Sequence, residues 1–488
     1  MQNRSSTWFL LCSALLAAVL LAYSQTFAFA WDEGFHLLAA QLIKQGRRPY
    51  LDFALAQTPL NAYWNGGWMR VFGDKWRGIQ TMDALVTTSA LMLAAGFLRS
   101  RWREQSGWGT VALLLAGASP LVFEFGTIGQ AYAIGLLMIV LAFRLATDCV
   151  RRNRTLLAAA AGFCSAAAAG STLLTAPAAP VLLLWLIVCS PRQARWSRIA
   201  AFAGGAAIAI TPILVLVAES PQRVIFDMFR YHMFYRRSDW PGSTRHDLEI
   251  FASWVDSPRG IMFAILSASG LWFILKKSGW DHATRREFYL AGCLAAALGL
   301  YVSTAHPTFV QYYVFAIPFL AILSAVGLYA IAMRLSPARA TWLAAGVSIW
   351  ACMGLAKEIY DKREDQSWPR MEAVARKVDL VTAPGAPLYA DEHIYFLTKR
   401  TPPPGNEYIS SHKLRLPKPL SEMVHIVPQP EWDRRIMAGE FATVETCEEE
   451  DWIKKRKLTE IYKQREEVSE CTVFWDRAKT LAASGPED

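Results

Sequence analysis

Two adjacent carboxylates, Asp32 and Glu33, follow the first long apolar stretch of the chain at the point where that stretch would leave a membrane. Trp31 can anchor such a helix end at the interface, but a carboxylate pair gains nothing from burial at the headgroup boundary. The pair therefore favours chemistry that faces a water-filled cavity. The simpler interpretation is that the two carboxylates only solvate the end of a helix.

The composition is that of a polytopic membrane protein. Of the 488 residues, 53% are hydrophobic and only 19% are charged. Apolar stretches of roughly twenty residues recur from the N-terminus to about residue 356, and about eleven of them are long enough to cross a membrane as helices. These stretches cover residues 8–30, 82–98, 108–123, 131–146, 156–173, 176–189, 199–217, 260–275, 288–302, 312–333 and 342–356.

Lysine and arginine are concentrated in alternate loops. The basic loops all fall on one side of the membrane if the N-terminus is cytoplasmic, whereas the short loops around Gly126, Thr175 and Ala305 contain no basic residue. The net charge of +9 is then largely the positive-inside signal, so no nucleic-acid partner is needed to explain it. The sequence Ala28-Phe29-Ala30 also fits a signal cleavage site, but the long apolar stretch before it favours a retained helix.

This orientation predicts two parts of the chain. Residues 1–356 form the transmembrane domain, with outer loops at 31–81 and 219–259, and residues 357–488 form a soluble extracytoplasmic domain. The second part combines a predicted helix near 370–381 with short β-like strings such as 387–390 and 423–427, which indicates a small α/β or α+β domain. Cys447 and Cys471 are its only cysteines and either form a disulfide or remain free.

The first outer loop contains a series of motifs. The pair Asp32-Glu33 is followed by an amphipathic stretch at 35–44, by Pro49-Tyr50-Leu51-Asp52-Phe53, and by Thr58-Pro59-Leu60 with Tyr63. Over residues 31–73 this order resembles the GT-C membrane glycosyltransferases, in particular bacterial relatives of protein O-mannosyltransferases and of the lipid A aminoarabinose transferase. Gln311 and Tyr312 open an aromatic-rich segment that is similar to the start of a late helix in that family.

The resemblance implies a fold and a reaction. The fold is a GT-C-like bundle of about eleven transmembrane helices, and the reaction moves a sugar from a polyprenyl-phosphate donor to an extracytoplasmic lipid, glycan or protein by inverting displacement. Such a transfer needs a base for the acceptor's proton and positive groups for the departing phosphate. By resemblance, Asp32 is the base, and Glu33 orients the acceptor or a water. Asp52 belongs to the turn that follows the first interfacial helix.

Basic residues of the outer loops are the candidates for holding the donor phosphate, because its lipid tail must stay in the bilayer. Arginine can grip a phosphate with two parallel hydrogen bonds, and nearby aromatic rings can stack on a sugar. An ordinary headgroup contact or a solvated surface position explains any single one of them equally well. The candidates are Arg47, Arg48, Arg230, Arg236, Arg237, Arg245 and His306, the last of which could also be a capping or packing residue.

One position departs from the family pattern. Many relatives carry an acidic residue at the outer start of the fourth helix, where this chain has Gln130. Glu124 is either the substitute for that residue or a polar contact inside the bundle. A metal-assisted mechanism is therefore in doubt, so no cofactor is certain and a divalent metal ion is left open. No spacing typical of a zinc or nucleotide site occurs.

The sequence predicts an integral protein of a bacterial inner membrane, with a cytoplasmic N-terminus and a periplasmic or extracellular C-terminal domain. Its predicted partners are the lipid bilayer, the polyprenyl-phosphate sugar and an extracytoplasmic acceptor. The alternative function is a transporter or flippase of lipid-linked sugars, although no internal repeat is visible. A non-catalytic assembly protein on the same fold is a third reading, which the intact Asp32 argues against.

Overall fold

The computed structural model describes residues 2–236, 242–276 and 279–478. The chain is mostly helical and divides into two compact units. The first unit consists of Met1–Gln25, Gln80–Leu214 and Trp240–Glu364, and the second consists of Thr26–Ile79, Val215–Asp239 and Asp365–Asp488. The second unit thus combines the first outer loop with the C-terminal region.

The described α-helices follow one another along the whole chain. In chain order they are α1 (Gln2–Thr26), α2 (Glu33–Lys44), α3 (Leu60–Phe72), α4 (Trp76–Arg101), α5 (Trp108–Gly117), α6 (Pro120–Phe125), α7 (Tyr132–Arg152), α8 (Leu156–Ser171), α9 (Ala178–Cys189), α10 (Arg195–Glu219), α11 (Pro221–Ile225), α12 (Ser243–Asp256), α13 (Pro258–Lys276), α14 (His282–Ser303), α15 (Ile317–Leu335), α16 (Ala340–Asp361), α17 (Trp368–Val381), α18 (Glu392–Thr398), α19 (Lys418–Met423), α20 (Gln429–Met437), α21 (Glu450–Lys455) and α22 (Leu458–Ile461).

The apolar stretches predicted from the sequence lie on these helices, and the chain is an integral membrane protein. Among the described residues, 7 helices are long and apolar enough to cross a membrane. Three of the remaining stretches lie on helices that are too short: α5 has only 10 residues before Pro120 starts α6, α8 has 16 and α9 has 12. The α14 helix is long enough, but it begins with charged residues. The count of about eleven spans stays a prediction.

Close helix contact in the first unit depends on small residues. A Cβ atom at Gly270 of α13 would lie 2.1 Å from the carbonyl oxygen of Leu323, and one at Gly327 of α15 would lie 1.8 Å from that of Leu266. Because the two glycines face each other's helix, α13 and α15 approach more closely than larger residues would permit. Such small-residue contacts are the usual means of packing helices in a membrane, where the hydrophobic effect gives no force between them.

Ion pairs join helix ends in the same unit. Glu287 of α14 is buried and accepts hydrogen bonds from Arg101 at the end of α4, at 2.6 Å, and from Arg151 at the end of α7, at 3.1 Å. Arg101 also pairs with Asp148. Glu287, near the start of α14, therefore has a structural role within the bundle.

In the second unit, α2 and α3 form a helical pair, and α2 also packs on α18 of the C-terminal region. The α2 helix begins where the sequence predicts an amphipathic helix, but its residues are buried from Glu33 to Ile43, so protein covers every side of it. Between α2 and α3, the predicted turn closes through Tyr50 N–H, which donates to the carbonyl oxygen of Phe53 at 2.9 Å.

The C-terminal region contains one four-stranded sheet, as the small mixed domain predicted from the sequence requires. Its strands β1 (Leu388–Tyr389), β2 (Thr443–Thr446), β3 (Tyr462–Val468) and β4 (Cys471–Arg477) lie in the order β1-β2-β4-β3. The β1 strand is parallel to β2, with Leu388 opposite Thr443, and the other pairs are antiparallel. Tyr389, Trp432 and Phe474 contribute to the core beside this sheet.

Local predictions for this region have mixed outcomes. The helix predicted near 370–381 is present as α17, and the string at 387–390 contains β1. The predicted strand at 423–427 is wrong, because α19 runs to Met423 and His425 then adopts a left-handed backbone with φ of 56° in a turn. Cys447 and Cys471 form a disulfide.

Three carboxyl groups lie close together inside this region. Burial raises the pKa of Asp391 and Glu445, and burial together with the charge of Asp391 raises that of Glu392 to about 8. Glu392 accepts a hydrogen bond from Ile409 N–H at 2.7 Å, and Glu445 accepts one from Asp391 N–H at 3.0 Å. The folded region therefore holds protons that the unfolded chain would release near neutral pH.

We expect the Glu392 carboxyl group to make the full chain lose stability between about pH 5 and about pH 8. The raised pKa of Glu392 means that its contribution to stability is fully present below about 4.5, its ordinary pKa, and is lost as the pH rises toward about 8. Thermal unfolding of the purified protein measures this dependence. Glu392→Gln should reduce the slope, whereas Glu450→Gln, at an exposed position, should not; an unchanged slope in Glu392→Gln would contradict the assignment.

Candidate active site

Asp32 lies at the N-cap of α2, and its side chain makes no capping hydrogen bond to the helix. Solvent reaches the residue, yet enough protein surrounds it for burial to raise the pKa of its carboxyl group above the ordinary 3.8. The positive charges of Arg236 and Lys413 oppose this shift. An accessible carboxylate with a raised pKa and nearby cations has the properties of a general base beside an anion-binding site.

Glu33 lies in a different environment from its neighbour. Its side chain is completely buried and accepts a hydrogen bond from the indole Nε1–H of Trp368 at 2.9 Å. The Trp368 ring stacks on Trp76 with a centroid distance of 5.5 Å and contacts His393 at 5.2 Å. The predicted role of Glu33 in orienting an acceptor stays untested, but these contacts favour a role in positioning α2.

A π-helix, Phe226–Tyr235, carries polar residues that contact the chain after α2 in this unit. Burial lowers the pKa of His232 to about 4, so the ring is neutral, and its Nε2 donates to the carbonyl oxygen of Ala56 at 2.8 Å. Burial also raises the pKa of Asp227 to about 8, and Leu55 N–H lies 3.5 Å from its Oδ2. These contacts attach the π-helix to the turn that follows α2.

Tyr408 connects three segments of the second unit. Its ring packs edge-on against Phe35 of α2 at 4.7 Å, and its hydroxyl lies 3.4 Å from that of Tyr231 on the π-helix. All three residues are buried. The C-terminal region, the π-helix and the start of α2 therefore meet at a tyrosine pair.

Two of the predicted phosphate ligands already have carboxylate partners. Arg47 pairs with the buried Glu407 at 2.9 Å, and Arg48 pairs with Glu219 at 2.7 Å. Asp52 accepts a hydrogen bond from Arg48 N–H at 2.7 Å, which stabilises the turn. A phosphate would have to compete with these carboxylates for either arginine.

The other arginines differ in their surroundings. Arg236 is half-buried at the end of the π-helix and acts electrostatically on Asp32, whereas Arg230 is exposed. Arg245 belongs to the first unit, where it is exposed and pairs with Glu249 one turn along α12 at 2.9 Å. Arg237 lies outside the described residues. Of the predicted ligands that the structure describes, Arg236 is the one whose charge acts on Asp32.

The remaining candidates lie in the first unit. His306 Nδ1 contacts Asp247, and its Nε2 lies 2.8 Å from the hydroxyl of Ser243. Gln311 and Tyr312 are half-buried on the 3-10 helix Val310–Ala316, which leads directly into α15. These placements leave their predicted roles untested.

Glu124 also belongs to the first unit, and it forms an ion pair with Lys362 at 2.6 Å. A divalent metal ion at Asp32 would need further carboxylates or other anionic ligands. Arg236 and Lys413 are instead the charged groups that lower the pKa of Asp32, and Glu33 is bonded to Trp368. A divalent metal ion at this site stays an open prediction.

Sequence reasoning missed Lys413, Trp368 and Tyr408. Each lies more than 300 residues after Asp32, and none belongs to a motif. The only available signal was compositional, since the C-terminal region is rich in charged and aromatic residues. Asp227 was also missed, although its place in an outer loop between apolar stretches could have identified it.

No family model and no curated protein matches the chain by sequence. Two solved structures of ArnT from Cupriavidus metallidurans, one bound to undecaprenyl phosphate and one in the apo state, match 99% of this chain and 100% of theirs, with TM-scores of 0.67 and 0.66. The chain has the GT-C fold. Both structures are 14% identical to this chain, so the likeness establishes the fold and not the substrate.

We expect Trp368→Phe to destabilise the protein by at least about 1–3 kcal/mol, because the change removes a hydrogen-bond donor from the buried Glu33 carboxylate and puts a smaller ring in a fully buried position. Chemical unfolding of the purified protein measures the loss. Trp475→Phe on β4, where the indole is half-buried, is the matched control and should cost less. Equal stability of the two variants would argue against a structural role for the Glu33 contact.

Proposed function

We propose that this protein is a membrane glycosyltransferase that moves a sugar from a polyprenyl-phosphate donor to an extracytoplasmic lipid, glycan or protein acceptor, with inversion at the anomeric carbon. The observation that carries the proposal is the environment of Asp32, an accessible carboxylate with a raised pKa on which Arg236 and Lys413 act. The GT-C fold supports it, and one of the similar ArnT structures is bound to undecaprenyl phosphate.

In the proposed reaction, the Asp32 carboxylate takes the proton of the acceptor's nucleophilic group. That group forms a bond to the anomeric carbon as the bond between this carbon and the phosphate oxygen breaks. The electron pair of the broken bond remains on the polyprenyl phosphate, whose added charge Arg236 stabilises. A raised pKa makes Asp32 a better base than an ordinary carboxylate.

The proposal includes a location. The protein lies in a bacterial inner membrane with its N-terminus in the cytoplasm and its C-terminal domain in the periplasm or outside the cell. The disulfide between Cys447 and Cys471 supports an oxidising compartment for that domain. The basic loops that contain Arg151 and Arg285 are then cytoplasmic.

The alternative is a transporter or flippase of lipid-linked sugars. Cations that bind the lipid phosphate would serve either function, so they do not separate the two. A base is needed only for transfer, and the accessible Asp32 therefore favours the enzyme. Substitution of Asp32 distinguishes the two functions.

We expect Asp32→Asn to lower turnover by about a hundredfold or more, because the amide keeps the size of the side chain but cannot accept the acceptor's proton. Folding and binding of a polyprenyl phosphate should persist. Release of sugar from the natural donor by purified protein measures turnover. Asp451→Asn, at an exposed position, is the matched control, and near wild-type turnover in Asp32→Asn would refute the base assignment.

We expect Arg236→Ala to weaken use of the donor by about tenfold or more, since a hydrogen bond to a charged group contributes about 1.5–3 kcal/mol. Arg236→Lys should retain part of the activity through its charge. The measurement is kcat/KM for the donor. Arg434→Ala is the control, because Arg434 is exposed and pairs with Glu431 along its own helix; an equal loss in both variants would show that a general charge effect is responsible.

A further inference from the structure

Ser243, His306 and Asp247 form a hydrogen-bonded series within the first unit. The hydroxyl of Ser243 lies 2.8 Å from Nε2 of His306, and Nδ1 of His306 contacts the carboxylate of Asp247. Because an ionised carboxylate can only accept, Nδ1 carries the proton of the neutral ring, and Nε2 accepts the hydroxyl proton of Ser243. A serine bonded to a histidine that an aspartate orients is the arrangement of an activated serine nucleophile.

Two segments of the chain hold this series in place. Ser243 and Asp247 lie four residues apart on α12, so their side chains share one side of that helix. Oδ1 of Asp247 accepts a hydrogen bond from Thr308 N–H at 2.7 Å, and Nε2 of His246 lies 3.0 Å from the carbonyl oxygen of Thr308. The segment that contains His306 is thus attached to α12 at more than one point.

The start of α12 supplies hydrogen-bond donors beside Ser243. Gly242 precedes the helix with a left-handed φ of 86°, and its carbonyl oxygen accepts from His246 N–H at 3.1 Å. That bond is the first of the helix, so the N–H groups of residues 243–245 have no acceptor within it. Together with the helix dipole, these groups favour a negative charge. They suit the oxyanion that forms when a serine attacks a carbonyl carbon.

An exposed apolar face lies along the same helix. Ser243 is buried, whereas the side chain of His306 is 29% exposed, so a substrate reaches the series from the side of the imidazole. Leu248, Phe251 and Val255 are exposed and are spaced by three and four residues, which places them on one face of α12. Phe251 follows the aspartate of the series by one turn. An apolar acyl chain can therefore lie along α12 while its carbonyl group is at the serine.

We propose that Ser243, His306 and Asp247 hydrolyse carboxylic esters that have an apolar acyl chain. This is a second activity, and it does not rest on the proposed function. Ser243 is the nucleophile, His306 is the general base, and Asp247 is the positioning residue that holds the imidazole. The role differs from the phosphate contact that the sequence predicts for His306.

The reaction has two steps. Ser243 Oγ forms a bond to the ester carbonyl carbon and gives its proton to His306 Nε2, and the alcohol oxygen takes this proton as its bond to that carbon breaks. Water then attacks the acyl group on Ser243 and gives a proton to His306. The serine oxygen takes that proton back as the acid leaves, so one ester and one water yield one alcohol and one carboxylic acid.

Labelling of the full-length purified protein with an alkyl fluorophosphonate tests the nucleophile. Ser243 Oγ should form a bond to phosphorus as fluoride leaves, and peptide mass spectrometry should locate the label on Ser243. Ser243→Ala should lose the label, and His306→Gln should slow labelling by about a hundredfold or more because the general base is absent. Ser253→Ala is the matched control on the same helix, since its hydroxyl donates to the carbonyl oxygen of Ile250 at 2.7 Å, and it should react as the wild type does.

Hydrolysis of p-nitrophenyl octanoate and p-nitrophenyl acetate by the same protein tests the acyl class. The octanoate should have a kcat/KM about tenfold or more higher, because its longer chain buries more apolar surface. Phe251→Ser should reduce this preference and leave hydrolysis of the acetate nearly unchanged. Equal kcat/KM values for the two esters in the wild type would show that the acyl class is wrong.

The kinetics of Asp247→Asn give a readout that a merely structural residue would not change. The variant loses the carboxylate that holds the imidazole, so kcat for the octanoate should fall by about tenfold or more. KM should stay within about twofold, because Asp247 does not touch the substrate. Asp256→Asn, at the exposed end of α12, is the control and should keep the wild-type kcat.

Two results would overturn the inference. One is the absence of label on Ser243 in the folded wild-type protein, and the other is equal labelling of the wild type and His306→Gln. If Ser243→Ala fails to fold, the position of the wild-type label and the rate for His306→Gln still decide. Sugar transfer by Asp32→Asn decides the proposed function separately, so failure of one activity leaves the test of the other intact.

Discussion

The hydrogen bond from the Trp368 indole to the buried Glu33 carboxylate is the constraint on which the candidate site depends. A buried carboxylate is costly unless it has hydrogen-bond partners, so this contact fixes the first turn of α2 against the C-terminal region. Asp32, the residue directly before Glu33, stays accessible to solvent at the start of this fixed turn.

The sequence was sufficient for the features that depend on local spacing. The apolar stretches became helices, the order of motifs over 31–73 indicated the GT-C fold, and the helix near 370–381 was found as α17. The helices are each encoded within some twenty consecutive residues, where periodicity decides the structure. The GT-C fold was instead indicated by the resemblance of the motifs over 31–73 to that family. The position of Asp32 at the start of α2 was found in the same way.

The partners of the site residues could not be found from spacing. Sequence alone gave Asp32 and Glu33 similar surroundings, whereas the structure exposes Asp32 and buries Glu33 against Trp368. Spacing could not reveal this contact, because the two residues lie 335 positions apart. The string at 423–427 has strand-forming residues, yet α19 and the turn at His425 occupy it. Tertiary contacts overrode local propensity in both cases.

The charges around Asp32 have opposing effects that suit the proposed reaction. Burial favours the protonated acid, whereas the charges of Arg236 and Lys413 favour the carboxylate. A lipid phosphate bound to the same cations would neutralise them and add negative charge near Asp32. The pKa of Asp32 would then rise when the donor is in place, so the carboxylate becomes a stronger base at the stage when the acceptor must lose its proton.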